Sequence, residues 1–561
     1  MAEDIEVVGN ASEKDLRRTL AEVETFRSTL RDLYPGLAVS SHQKTLLIAL
    51  RDPGSFQQFA PRDGRGRRLR NVAGYFDVRP YGNLMVLPMF GTRETTYQVA
   101  FHEYTHYLIY RNLRNVPGWL NEGLAEFYST FSVESDGRRI IGKAPAGRLL
   151  TLRLLPMFPL ARFLDPATVG RMADSPTGVQ VFYAQAWGFV HFLMLSDKGS
   201  RQGQLLKYFE ALQTAPTQAD AARQAFGADL GRLSTDLSRY LERDQFPAIV
   251  VPPRPSAAPA TPPAVEPLTE ADAHYLQGRL LVDLRAVAEA EAAIGKALAV
   301  NPTHVGARVA LGRLRLLQER EAEGIQHLES AAADAKEDFE AHYFLGEALR
   351  QIGRYEESIK QFDRTVALNR QSPDAWFGLS LATMSMGRQS QSQAAMRQVQ
   401  FRYADPYWYS SRAEHALGLG QNEVAARDAR EYLNAAGWAD EAAPYAAFIG
   451  AIAHWRLQQT AEAEALLADA ARAVPPKSWV ATVVQYLQGG LTEDAFLDRA
   501  RDDGQRTEAH TYAGLRVLIA GNKEAARKHF LWVKERGDRN YSEYALAFAE
   551  LKRLESADAA R

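Results

Sequence analysis

Alanine recurs at a spacing of 34 residues, at Ala273, Ala307, Ala341 and Ala375, and this periodicity restricts the fold more than any other feature of the chain. A unit of that length holds two helices and a turn. Alone it cannot bury its apolar face, so it must stack on further copies, and a small residue at a fixed position lets the helices approach. The clearest copy runs Ala341-His342-Tyr343-Phe344-Leu345-Gly346 and continues through Gly353-Arg354-Tyr355 to Ile359, Phe362 and Ala367. Leu311-Gly312 and Gly387 stand 34 residues from their counterparts in it, and Leu328, Phe362 and Met396 share the same step as the bulky residues that fill the gap to the next helix. Units near Gly420, Gly450 and Gly521 keep the texture but leave the register. About seven or eight helical pairs are expected, the last of them irregular.

This is the period of a tetratricopeptide array, and it predicts an all-α solenoid over residues 268–561. Residues 1–246 read differently. Short strands at Ile5–Val8, Thr45–Leu50 and Leu84–Leu87 alternate with helices, one opened by Ser12 with Asp15 three residues on, which is α+β patterning. Between the two lies 247–267, with eight prolines, a composition that favours an extended segment and builds no core. It predicts a linker crossed by few contacts, divisible near Ala257 into two soluble pieces. The Arg-rich stretch Arg62, Arg65, Arg67, Arg68 and Arg70 reads as a solvated loop or as a clamp for an acidic ligand, and no role is assigned to it.

Composition narrows the chemistry. A formal charge of -2 recruits no polyanion, so nucleic acid is not an expected partner, and no stretch is long and apolar enough for a membrane span. The absence of cysteine removes disulfides, thiolate metal sites and cysteine nucleophiles together. Any metal must be held by His and carboxylate. Met1-Ala2-Glu3-Asp4 lacks the basic start and apolar core of a secretory leader, which places the chain in the cytoplasm as it stands, or in the periplasm if a leader was removed ahead of the first strand.

A helix expected over Thr95 to Asn112 carries His102-Glu103-Tyr104-Thr105-His106. Imidazoles at i and i+4 project from one helix face and can share a zinc ion, and the Glu beside the first can reach a water at the metal. Histidines satisfied by hydrogen bonds in a core are the plain alternative. The next segment, Pro117-Gly118-Trp119-Leu120-Asn121-Glu122-Gly123-Leu124-Ala125-Glu126, makes a turn and opens a second helix with carboxylates at i and i+4 where a third ligand is required. Two His and one Glu leave a fourth position open, the catalytic rather than the structural arrangement of zinc.

These two segments resemble the gluzincins, the superfamily of thermolysin and the aminopeptidase N enzymes, and more closely the bacterial peptidase MA-like proteins that carry tetratricopeptide repeats. The resemblance implies a gluzincin-like α+β zinc peptidase domain over 1–246, a proline-rich linker over 247–267 and the repeat domain over 268–561. It implies one zinc per chain on His102, His106 and Glu122, with Glu103 as general base and then acid, and with Glu126 as the carboxylate that orients the first zinc histidine. The swap, with Glu126 as ligand, stays open. A metzincin is excluded, because Ile109 and Asn112 stand where that class needs Gly and His.

Tyr183, in Phe182-Tyr183-Ala184-Gln185-Ala186-Trp187, is similar in placement to the catalytic tyrosine of the aminopeptidase N class, which would make it a donor to the oxyanion; a core tyrosine is the rival reading. His191, farther along the same helix, reads as a packed or surface histidine, and Leu84–Leu87 either as a substrate-pairing edge strand or as a buried one. Two functions lead among three that compete. One is a zinc metallopeptidase acting on a peptide or protein, with the repeats recruiting substrate or a protein partner; the other is an interaction scaffold built on the repeats with a vestigial metal domain. A zinc hydrolase for a non-peptide amide is a third.

Overall fold

Near-continuous apolar runs mark strands covered on both faces, and two of them form the centre of the N-terminal sheet. The strands β1 (Ile5–Gly9), β2 (Thr45–Leu50), β3 (Tyr75–Asp77) and β4 (Asn83–Pro88) lie in the order β1-β2-β4-β3, parallel except for β3, which runs antiparallel to β4. The computed structural model describes residues 4–40, 43–62, 67–69, 72–113, 116–164, 175–212, 215, 218–253, 265–399, 406–438, 440–538 and 541–559. Leu84–Leu87 is therefore an interior strand. The substrate-edge reading of it is corrected: the edges of this sheet are β1 and β3.

Helix α1 (Glu13–Leu33) starts where Ser12 accepts a hydrogen bond from the Asp15 amide, and α2 (Arg93–Asn112) where Thr92 accepts one from Thr95. One stripe of α2, with Ala100, Phe101, Tyr104 and Leu108, is buried in a core that also takes Phe26 of α1 and Met85 and Leu87 of β4. Helices α3 (Gly118–Ser129), α4 (Ala146–Leu154) and α5 (Pro176–Leu195) follow. Gly123 is what lets α3 and α5 meet: a Cβ there would stand 2.5 Å from the Ala186 carbonyl oxygen.

The repeats begin with three helical pairs, α6 (Glu270–Asp283) with α7 (Val287–Val300), α8 (Val305–Leu317) with α9 (Glu321–Asp334), and α10 (Phe339–Gln351) with α11 (Tyr355–Leu368). Five more pairs and a closing helix follow among the described residues, which meets the expected number. The period has a physical basis at the crossing points. A Cβ on Gly312 would sit 2.7 Å from the Leu328 side chain and one on Gly346 3.2 Å from the Phe362 ring. Ser358 donates to the Gly346 carbonyl at 2.7 Å, and Ser392 donates to the Ser380 carbonyl at 2.7 Å, one repeat later.

The chain divides into two compact units, Met1–Ala375 and Trp376–Arg561, so the first three helical pairs group with the α+β part. Ile48, Leu50, Phe56 and Val86 share one buried cluster with Leu281, Ile294 and Leu314 of the repeats. The proline-rich stretch opens as a strand, Ile249–Val251, paired antiparallel with Arg139–Ile141, while Ala257 falls outside the described residues. The expectation of two separable modules is thereby corrected. Large apolar side chains stabilise by about 1.5–3 kcal/mol each when fully buried, and a cut near Ala257 would leave such a set without its cover. Arg62 and Arg68 also reach across to Glu289 of α7, at 2.9 and 3.1 Å, rather than standing free in solvent.

The second unit holds three acidic side chains in its interior region. Glu508 accepts from the Trp479 indole at 2.8 Å and Glu543 from the Tyr512 hydroxyl at 2.9 Å, with Glu414 nearby. Burial, and then the neighbouring Glu543, push Glu414 and Glu508 up to about 8; burial raises Glu543 as well. The folded state thus binds protons that the unfolded chain, with ordinary carboxylates near 4.3, has released. Stability from this source is complete below that value and is lost as pH rises toward about 8. The melting transition of this unit should move down in temperature across that window, and Glu508→Gln should flatten the dependence; a transition that rises with pH there would contradict the assignment.

Candidate metal centre

Positions four apart on α2 place His102 and His106 on one face, their Nε2 atoms 3.0 Å apart. The first turns of α3 bring Glu122 to them. Its Oε2 lies 3.5 Å from each Nε2, is buried, and has no hydrogen-bond partner among the described residues. Only this trio of His and carboxylate groups converges closely enough, among the described residues, to hold an ion. A tetrahedral zinc with donors at 2.0–2.2 Å sets them roughly 3.3–3.6 Å apart, so the triangle fits such an ion with little adjustment. An orphaned carboxylate oxygen facing two imidazole nitrogens is otherwise costly to bury.

The outer nitrogens are held as well. His106 Nδ1 lies 3.1 Å from the Asn121 side-chain oxygen, which fixes Nδ1–H as the donor and turns the Nε2 lone pair inward. His102 Nδ1 lies 3.6 Å from Glu126 Oε1. Arg148 of α4 grips Glu126 with two hydrogen bonds, at 2.6 and 2.9 Å, and its guanidinium lies 5.3 Å from the centre of the Tyr183 ring. Of the two carboxylates on α3, Glu122 faces both Nε2 atoms while Glu126 stands behind His102.

Electrostatics follow from this packing. Burial raises Glu122, but the two imidazoles outweigh it and hold the carboxylate at about 2. In a metal-free site burial lowers His106, and Glu122 with Glu103 more than offsets this, raising it to about 9, so that a bound ion would displace a proton from Nε2. Glu103 is shifted up by burial, against the pull of His102 and His106, and accepts a hydrogen bond from the Phe76 amide of β3 at 3.2 Å. Tyr183, on α5, is partly buried; burial and then the charges of Glu122 and Glu126 keep its hydroxyl protonated. His191 is wholly buried between the Tyr240 hydroxyl, at 2.8 Å, and the Gly142 carbonyl, at 3.0 Å, and burial lowers it to about 4. It is a packed residue.

All six residues singled out in the sequence thus come to one region. Asn121, Arg148 and the Phe76 amide were not foreseen. Asn121 could have been, since a ligating histidine needs an acceptor for its other nitrogen, whereas Arg148 arrives from another helix at no diagnostic spacing.

Fold and site together define a helical-repeat solenoid joined to an α+β unit that carries a His-His-Glu cluster. The Tetratricopeptide repeat family model matches residues 275–338, 322–375 and 345–405, and the C-terminal part is a solenoid of that type. Among solved structures, PilF of Pseudomonas aeruginosa is 16% identical, covering 40% of this chain and 98% of its own, with a TM-score of 0.34. PilW, a type IV pilus biogenesis factor, is 17% identical with the same coverage, 40% and 98%, and a TM-score of 0.34. A tetratricopeptide repeat protein from Parabacteroides merdae is 12% identical, covering 51% of this chain and 99% of its own, with a TM-score of 0.31. No curated protein matches the chain.

Proposed function

We propose that the chain is a protein-interaction scaffold on tetratricopeptide repeats whose N-terminal part carries a zinc-dependent peptidase centre of gluzincin type. The observation that carries the enzymatic half is the half-buried triangle of two Nε2 atoms and one carboxylate oxygen with Glu103 beside it. The interaction half rests on the family match to the repeats, whose stacked surface suits a peptide or protein partner. That match lies wholly within the repeats, so the comparisons back the scaffold reading, with a vestigial metal domain, better than they back the peptidase. Glu103 and its complete surroundings favour the enzyme.

His102, His106 and Glu122 would hold one zinc. Bound there, the ion supplies the Lewis acidity that makes water nucleophilic near neutral pH and polarises a scissile carbonyl. Glu103 takes the proton from the attacking water and passes it to the leaving amine nitrogen. The protonated Tyr183 hydroxyl donates to the oxygen that gains negative charge. Glu126 and Arg148 keep the His102 ring in place.

Two outcomes test these roles. Tyr183→Phe should lower kcat on a short peptide by roughly 10–1000-fold while KM changes little; unchanged kinetics would return Tyr183 to the core. Arg148→Ala should weaken zinc binding by roughly 10–100-fold, with partial recovery in Arg148→Lys. Competition with a fluorescent zinc chelator reads this directly, and an unaltered affinity would separate Arg148 from the site.

A further inference from the structure

The turn that follows β3 is seated on the repeats. The Tyr81 hydroxyl donates to Asp283 Oδ1 at the end of α6, at 2.6 Å. Arg313 of α8 donates to the same oxygen, at 2.6 Å, and to the Tyr81 oxygen, at 3.3 Å. Arg79 pairs with the other oxygen of Asp283 and, at 2.7 Å, with Asp77. The Tyr81 ring has the guanidiniums of Arg279 and Arg313 at 5.1 and 5.0 Å and the Phe344 ring of α10 at 5.1 Å. Arg279 is itself fixed by Glu340 at 2.8 Å. Asp283 keeps only 4% of its side-chain surface exposed and Arg79 only 10%, so this is an interior contact rather than a loose surface one.

The first helices of successive pairs, α6, α8 and α10, pack on one another and each contributes to this seat. Helices stacked in this way form one continuous face of the array. Here it holds part of its own chain. The strand leading into the turn, β3, is only three residues long and, among the described residues, pairs with β4 alone, so its position depends strongly on where Arg79 and Tyr81 are anchored. Its central amide, Phe76 N–H, is the group that holds the Glu103 carboxylate.

We infer that the face formed by the first helices of the first three repeats is a docking site for the Arg79-Pro80-Tyr81 turn, and that this docking places β3 and, through it, Glu103. Tyr81, Asp283 and Arg313 are positioning residues. The first repeats are thereby part of the candidate centre, and recruitment of another protein falls to the rest of the array. The catalytic meaning of the inference rests on the proposed role of Glu103, whereas the docking does not.

Hydrogen exchange on the full, zinc-supplemented chain tests it. In Asp283→Asn the amides of Tyr75–Asp77 should exchange roughly tenfold faster or more, while those of Lys523–Arg536 in the second unit stay as they were. Tyr81→Phe, which removes the hydroxyl's two hydrogen bonds and keeps the ring, should show a smaller acceleration of the same amides and covers the case in which Asp283→Asn folds poorly. With the best-cleaved member of an unbiased peptide library, kcat should fall in both variants more than KM rises, and Asp283→Glu should restore part of it. Unchanged exchange at Tyr75–Asp77 in both variants overturns the docking. Faster exchange in a chain that cleaves no peptide in any form upholds the docking and removes the hydrolytic role alone.

Discussion

Replacing Glu103 by Gln should leave the metal and the fold in place while peptide hydrolysis falls by roughly 10²–10⁴, the range for loss of a general acid-base. The amide keeps the size of the side chain and can still accept from the Phe76 N–H, so β3 keeps its anchor. It cannot take a proton from water. Neighbouring carboxylates offer no substitute, because Glu122 faces the two imidazoles and Glu126 is held by Arg148. Cleavage at the original rate with the zinc content unchanged would mean that another group is the base.

The second large effect is on the metal itself. His106→Ala removes one of three converging donors and leaves the buried Glu122 oxygen facing a single imidazole. Zinc should fall from about one per chain to a small fraction, measured by elemental analysis after gel filtration. The ion ties α2 to α3, so its loss also costs stability. An ion present at a hundred times its dissociation constant contributes about 2.7 kcal/mol, which places the drop in the melting temperature of the first unit, Met1–Ala375, at roughly 3–4 °C. His102→Ala and Glu122→Ala should behave alike. Glu126→Ala should retain more zinc, because Glu126 stands behind His102 and not among the three donors. Full occupancy in His106→Ala would remove the proposed site.

How far the chain could be read in advance depended on whether the physics was local. The i, i+4 histidines and the small residues at 34-residue intervals follow from helix geometry within one or two turns, and both recur in the structure. The Glu122 position came from a resemblance in sequence, and its oxygen does meet both nitrogens. Leu84–Leu87 carried its own answer: an apolar run with no polar alternation marks a strand covered on both faces. What stayed hidden was long-range. Arg79, Asp283 and Arg313 look like ordinary surface charges along the chain, and nothing in their spacing announces that they meet in an interior cluster with Tyr81. The eight prolines of 247–267 described the composition of a segment correctly but not the packing of the elements on either side of it.

The most direct test is a digest of an unbiased peptide library by the purified, zinc-replete chain, run beside the same chain carrying Glu103→Gln. A peptidase centre on the repeat scaffold predicts a reproducible set of cleaved peptides that depends on the metal and is lost, by roughly 10² or more in rate, in the variant. No cleavage by a chain that carries its full zinc would contradict the enzymatic claim and leave the repeats as the function.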